Sequence, residues 1–119
     1  MSGFNEFAVE LFDGMGAVKA RKMFGGAGLY LNDVMFGLID EEAIYLKTDE
    51  ALAAALMAEG SAPWIYAKNP SVKHTYYRLP LDAMGNADAA AVWGKRAYAV
   101  AAALKKPRAP RKSRAKAKP

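Results

Sequence analysis

Few residues of this chain are marked for chemistry by type and spacing, and the first are glycines. In RKMFGGAGLYLND (Arg21 to Asp33) three glycines fall within four positions. Glycines at that density can cradle a phosphate when a helix N-terminus follows and points its free amides at the anion. Here no lysine with a following Ser or Thr closes the cluster, and the residues after it have the composition of a strand. The cluster therefore reads as architecture: a bulge or bend where strands cross closely, or a seat for the first helix. His74 is the single histidine, whereas a metal centre draws on several convergent ligands. Asp40, Glu41 and Glu42 form the densest acidic cluster but lack calcium-loop spacing. Ser2, Ser61, Ser71 and Ser113 have no Gly-x-Ser-x-Gly elbow around them. Cysteine is absent, which excludes disulfides, thiolate zinc sites and cysteine nucleophiles and suits a reducing cytoplasm. The expectation is a protein with no catalytic residue, no metal and no cofactor.

Cations supply the clearest signal. Residues 107–119 carry Arg108, Arg111, Lys112, Arg114, Lys116 and Lys118 and no acidic residue. The tail takes six of the seventeen basic residues, leaving eleven against all twelve acidic ones. The overall charge of +5 thus belongs to the tail, and the body is nearly neutral. KKPRAPRKSRAKAKP has three prolines and no apolar periodicity, so it is expected to be disordered in isolation. Such a segment neutralises phosphates without reading sequence, and these six residues are the predicted contacts for non-specific DNA attraction. A solubilising tail without a partner is the competing reading.

Elements able to position these groups follow from the apolar pattern. Phe4, Phe7, Ala8, Leu11, Phe12 and Met15 form one stripe of an amphipathic helix, closed by Gly14 or Gly16. Short strands are predicted at 17–23 and 28–31, then in VMFGLI and AIYLK. Asn32-Asp33 and the DEE of residues 40–42 form the turns of this meander. At Thr48 the period changes to 3.6, and an alanine-rich helix capped by Thr48 runs to Gly60. Strands at 63–68 (PWIYAK) and 72–79 (VKHTYYRL) flank the turn NPS. A last helix starts at Asn86 or Asp88 with the stripe Ala89, Val92, Trp93, Arg96, Ala97, Val100, Ala101 and Leu104. The predicted class is α+β: an antiparallel meander of about six strands with packed helices, in the order α-β-β-β-β-α-β-β-α. Residues 1–106 form one domain and 107–119 its tail. No apolar run approaches the roughly 20 residues of a membrane helix, and the N-terminus does not read as a signal peptide.

Alternate strand residues share a face, so Trp64 and Tyr66 fall on one side while Tyr76 and Tyr77 point to opposite sides. One tyrosine is expected to cover the core. The other, with Arg78, is expected to meet water and to offer a surface for a partner or for stacked bases. Tyrosines that merely cover the sheet are the alternative.

RKMFGGAGLYLNDVMFGLI, then IYLKTD, YYRLP and VWGKRAYAVAAAL, resembles the N-terminal domain of the TfoX/Sxy family over roughly residues 4 to 105. The positions carrying the resemblance include Met23, Phe24, Gly25, Gly26, Gly28, Leu29 and Tyr30. The resemblance implies an α+β domain with an antiparallel sheet and no catalytic residues. It further implies a bacterial regulator of natural competence that acts on transcription with a cyclic-AMP receptor protein. Where two-domain regulators carry a helical C-terminal domain, this chain has thirteen basic, proline-containing residues, so a stand-alone member is expected. KHT before YYRLP puts His74 outside the shared pattern. The expected function is a cytoplasmic regulatory accessory protein that binds a protein partner and, through its tail, nucleic acid. An unpaired edge strand offers a route to a homodimer. A ligand-binding or enzymatic pocket beneath the glycine bend, near His74 or Tyr77, is the alternative.

Overall fold

The computed structural model describes residues 3–23, 26–65 and 75–105. Its elements are α1 (Gly3–Leu11), β1 (Lys19–Met23), β2 (Gly26–Leu31), β3 (Val34–Asp40), β4 (Ala43–Lys47), α2 (Glu50–Ala58), β5 (Tyr76–Arg78), α3 (Leu81–Met84) and α4 (Ala87–Lys105). The strands form one antiparallel sheet in sequence order, β1-β2-β3-β4-β5. The class is α+β as expected, with five strands among the described residues instead of about six. The strand expected at 63–68 contributes, among described residues, only a bridge between Pro63 and Tyr77. Trp64 N donates to Tyr76 O at 2.8 Å and Arg78 N to Ala62 O at 3.0 Å. Pro63 and Tyr77 form a non-hydrogen-bonded pair flanked by these two bonds, so the missing amide of Pro63 costs this bridge nothing. Residues 66–74, including Tyr66 and His74, lie outside the described residues, as does part of the strand expected at 72–79. Phe24, Gly25 and the tail from 107 onward also lie outside them.

Turn chemistry sets the register. Asn32 (φ 52°) and Asp33 (φ 64°) are left-handed, as a two-residue hairpin of the right twist requires. Glu41 (φ 50°) and Glu42 (φ 58°) adopt the same conformation in the next hairpin, where no local side chain favours it. The expected first helix is shorter than its stripe: α1 stops at Leu11, a 3-10 turn follows at Asp13–Met15, and Gly16 (φ 131°) closes it. The cap of α2 is Asp49, not Thr48. The Asp49 carboxylate accepts from Leu52 N at 2.9 Å, while Thr48 is buried and its N–H donates to Thr75 O. Asn86 caps α4 by accepting from Ala89 N at 3.1 Å. Proline at 80 presets the φ that opens the short helix α3, which composition did not announce.

All four described helices pack on one face. Ala8, Leu11 and Phe12 join Leu29, Phe36, Ile44, Leu46, Leu52, Leu56 and Leu79 in one apolar cluster. Phe12 meets Phe36 edge-on, with centroids 5.5 Å apart at 82°. The stripe expected for α4 is corrected. Val92 (61% exposed), Arg96 and Leu104 face water; Ala90, Ala91, Gly94, Ala97 and Ala101 are buried, and Ala89, Trp93 and Val100 pack against the core as expected. Small side chains win because α4 lies close across β3 and against the 3-10 turn. A Cβ at Gly94 would collide with the Met15 sulfur and sit 2.9 Å from Phe12 Cδ1.

Two stability tests follow from this geometry. Gly94→Ala in a helix ordinarily stabilises by about 1 kcal/mol. Here it should destabilise by about 1–2 kcal/mol, since Phe12 is fully buried and has no room to yield. Replacing Glu41-Glu42 with Asn-Gly should add about 1 kcal/mol and raise Tm by about 4–8 °C. Thermal melts of the two variants against the parent chain check both signs.

A candidate aromatic and cationic face of the sheet

Register determines what the second face presents. Core-side pairs such as Leu29↔Gly37, Ile39↔Ile44 and Leu46↔Tyr77 fix one side. The alternating partners therefore fall on the other: Lys19↔Tyr30, Tyr30↔Met35, Leu38↔Tyr45, Tyr45↔Arg78 and Lys47↔Tyr76. Of the three predicted surface residues, Tyr77 packs against the core, whereas Tyr76 and Arg78 share the outer face. Among the described residues no helix packs on this face.

Glycines make room for its aromatic layer. Gly26 lies so close to β3 that a Cβ would collide with the Ile39 carbonyl oxygen. At Gly28 a Cβ would sit 2.8 Å from Tyr30 Cε1 and 3.1 Å from the sulfurs of Met23 and Met35. Gly26 and Gly28 thus lie within β2, and no helix begins after them. The β-bulge lies two residues further on, between Leu29 and Tyr30. In consequence Tyr30 folds back over the glycine floor, and Arg21 sits over its ring, 4.8 Å from the centroid.

Trp64 organises the opposite end. Its Nε1 donates to Asp40 Oδ2 at 2.9 Å. Its ring lies 6.3 Å from Tyr45 and 6.0 Å from Tyr76, edge-on to the latter at 83°. Lys47 Nζ stands over the Tyr76 ring at 5.0 Å. Burial lowers the Lys47 pKa below its ordinary value. Burial also raises the Tyr76 phenol, and the charge of a Tyr30 phenolate raises it further, so the two tyrosines sense each other across the sheet. Arg21 is ion-paired to Asp33 at 3.4 Å, yet the side chains are 56% and 84% exposed, so water screens the pair. Arg78 keeps a buried Nε–H without an acceptor, and the Ser61 hydroxyl oxygen is likewise buried without a partner. Both residues line a cavity of about 380 Å³ beside Asp82.

The space beside the glycine segment is small. A cleft lined by Met23, Gly26, Asp40 and Trp64 measures about 70 Å³, against the roughly 300–1,000 Å³ of ligand pockets. Tyr77 lines a different groove of about 490 Å³, with Thr48, Met57 and Leu104. Among the described residues no group of three or more His, Asp or Glu is arranged to hold a metal. Within them, too, no helix is long and apolar enough to cross a membrane.

The model of the TfoX N-terminal domain matches residues 10–101, from within α1 through all five strands and most of α4. The chain belongs to the TfoX N-terminal domain family. Among curated proteins none matches it. Within the matched span of this TfoX-family chain, Met23, Gly26, Gly28 and Tyr30 are the glycine floor and its cover. Sequence reasoning named Tyr76 and Arg78 for this face but missed Tyr30, Tyr45, Arg21 and Lys47. Their period-2 alternation was visible, but pairing across strands was not.

Tyr76 offers a spectroscopic test. Between the ordinary phenol value of 10.0 and its raised folded value, the unfolded chain has lost a proton that the folded chain keeps. This tyrosine's contribution to stability therefore falls as pH rises above that ordinary value. In an alkaline ultraviolet titration Tyr76→Phe should remove a late-ionising tyrosine, and Tyr30→Phe should make it ionise earlier.

Proposed function

We propose that the protein is a cytoplasmic regulatory accessory factor that acts on transcription by binding other macromolecules, with nucleic acid attracted by its basic tail. The carrying observation is the outer sheet face, where Arg21 and Lys47 stand over tyrosine rings and no helix of the described residues intervenes. Family membership supports a regulatory role, and natural competence is the process to which the resemblance points. Phosphate contacts hold a protein on nucleic acid without specifying sequence, and Arg108, Arg111, Lys112, Arg114, Lys116 and Lys118 are suited to that work. Tethering by the tail raises the local concentration of the folded domain near DNA, where its face can engage. A protein partner in transcription regulation completes the role.

Anisotropy titrations of labelled duplex DNA with the full chain and with a 1–106 truncation, at low and moderate salt, test this reading. Six charges give a log–log salt slope of at most about −5 on B-DNA. The truncation should bind more weakly and with a shallower slope. Equal affinity in the two proteins would remove the tail from the account.

A further inference from the structure

We propose that the outer sheet face is a stacking platform for single-stranded nucleic acid, distinct from the tail's attraction to any phosphate backbone; this rests on the nucleic-acid reading above. Stacking sites for single strands combine a cationic track with exposed aromatic planes, and every base has a π-face to offer. The face carries cations and half-buried rings, with Arg21 over Tyr30 and Lys47 over Tyr76, so a base would exchange with or extend these stacks. Tyr30 covers the glycine floor on β2, and the Tyr45–Trp64–Tyr76 cluster lies towards β4 and β5. The five strands span about 19 Å at the usual spacing of about 4.8 Å, a width suited to about four nucleotides, the low end of known site sizes.

Charge selects the occupant. Lys19, Arg21, Lys47 and Arg78 belong to this face. Asp40 accepts from the Trp64 indole and keeps its charge, Asp33 in the β2–β3 turn forms a screened pair with Arg21, and Glu41 and Glu42 are confined to the β3–β4 turn. The strand cations Lys19, Arg21 and Lys47 suit an anionic occupant. Duplex DNA keeps its bases stacked inside and offers no planes to the rings, whereas a single strand offers both phosphates and bases. Arg21 is placed for both tasks, since a guanidinium lying over Tyr30 can also stack on a base.

The test uses the full chain with a fluorescent oligothymidylate and a duplex of equal length. The single strand should bind more tightly. Tyr30→Leu and Tyr76→Leu, which keep bulk but lose the ring, should each weaken single-strand binding about fivefold or more. Tyr76→Phe, which keeps the ring, should leave it unchanged, and duplex binding should not move in any of the three. If melting shows a leucine variant unfolded, Arg21→Gln with Lys47→Gln decides the same question. That pair should make the single-strand salt slope shallower by about 1.4, and an unchanged slope would sink the proposal. Equal affinity for the two probes, or leucine variants that bind as the parent does, would overturn the platform while leaving tail-driven attraction standing. Failure of the parent chain to bind either probe would overturn both readings.

Discussion

The structure depends on how closely the last helix approaches the sheet. α4 lies across β3 on Ala90, Gly94, Ala97 and Ala101, and the missing side chain at Gly94 is where Phe12 and Met15 fit. The resulting Phe12–Phe36 contact contributes about 0.5–1.5 kcal/mol beyond the area it buries. It also joins α1, the 3-10 turn, the sheet and α4 into one cluster. A bulkier α4 surface would lift the helix and open the core along its length. Because every described helix is drawn to this side, the second face of the sheet must find its own cover.

That cover is built from the strands themselves. Gly28 leaves a slot in which Tyr30 and two methionine sulfurs meet, and a side chain there would expel them. The same absence that lets the strands approach thus seats an aromatic ring on the outside. The glycine segment is architectural, and its architecture serves the surface as much as the backbone. Gly37, whose Cβ would lie 2.7 Å from the Tyr45 carbonyl oxygen, extends the close approach to the next strand pair.

Most of the fold was legible because its determinants are local. Asn32-Asp33 announced a hairpin, Asn86 a cap, and the stripe from Phe4 a helix, although α1 ends at Leu11 and the glycine closes the 3-10 turn after it. What failed were judgements that needed a neighbour. The periodic stripe of α4 holds at Ala89, Trp93, Ala97, Val100 and Ala101 but fails at Val92, Arg96 and Leu104, while Ala90 and Gly94 face the core in their place. The cap of α2 went to Thr48 because nothing local showed that its N–H would pair with Thr75. The outer face was half legible: Tyr76 and Arg78 alternate with Tyr77 within one strand, but Tyr30, Tyr45 and Lys47 join them only through the register of four strand pairs. Net charge also concealed it. A body with eleven cations and twelve anions looks featureless until the sheet sorts them.

Sorting has an energetic consequence at Lys47. Its amine is drawn partly out of water onto the Tyr76 ring, and burial lowers its pKa. Below that lowered value the lysine is charged in both folded and unfolded chains, and the folded state bears the desolvation. The contribution to stability improves only as pH rises through the folded value toward 10.5, far above neutrality. At neutral pH this cation is therefore held at some expense to the fold, softened by the ring beneath it. An apolar residue in that position would relieve the expense but leave nothing to meet a negative group. An anion brought to Lys47 would offset that lost hydration, an effect kept small because most of the amine remains in water.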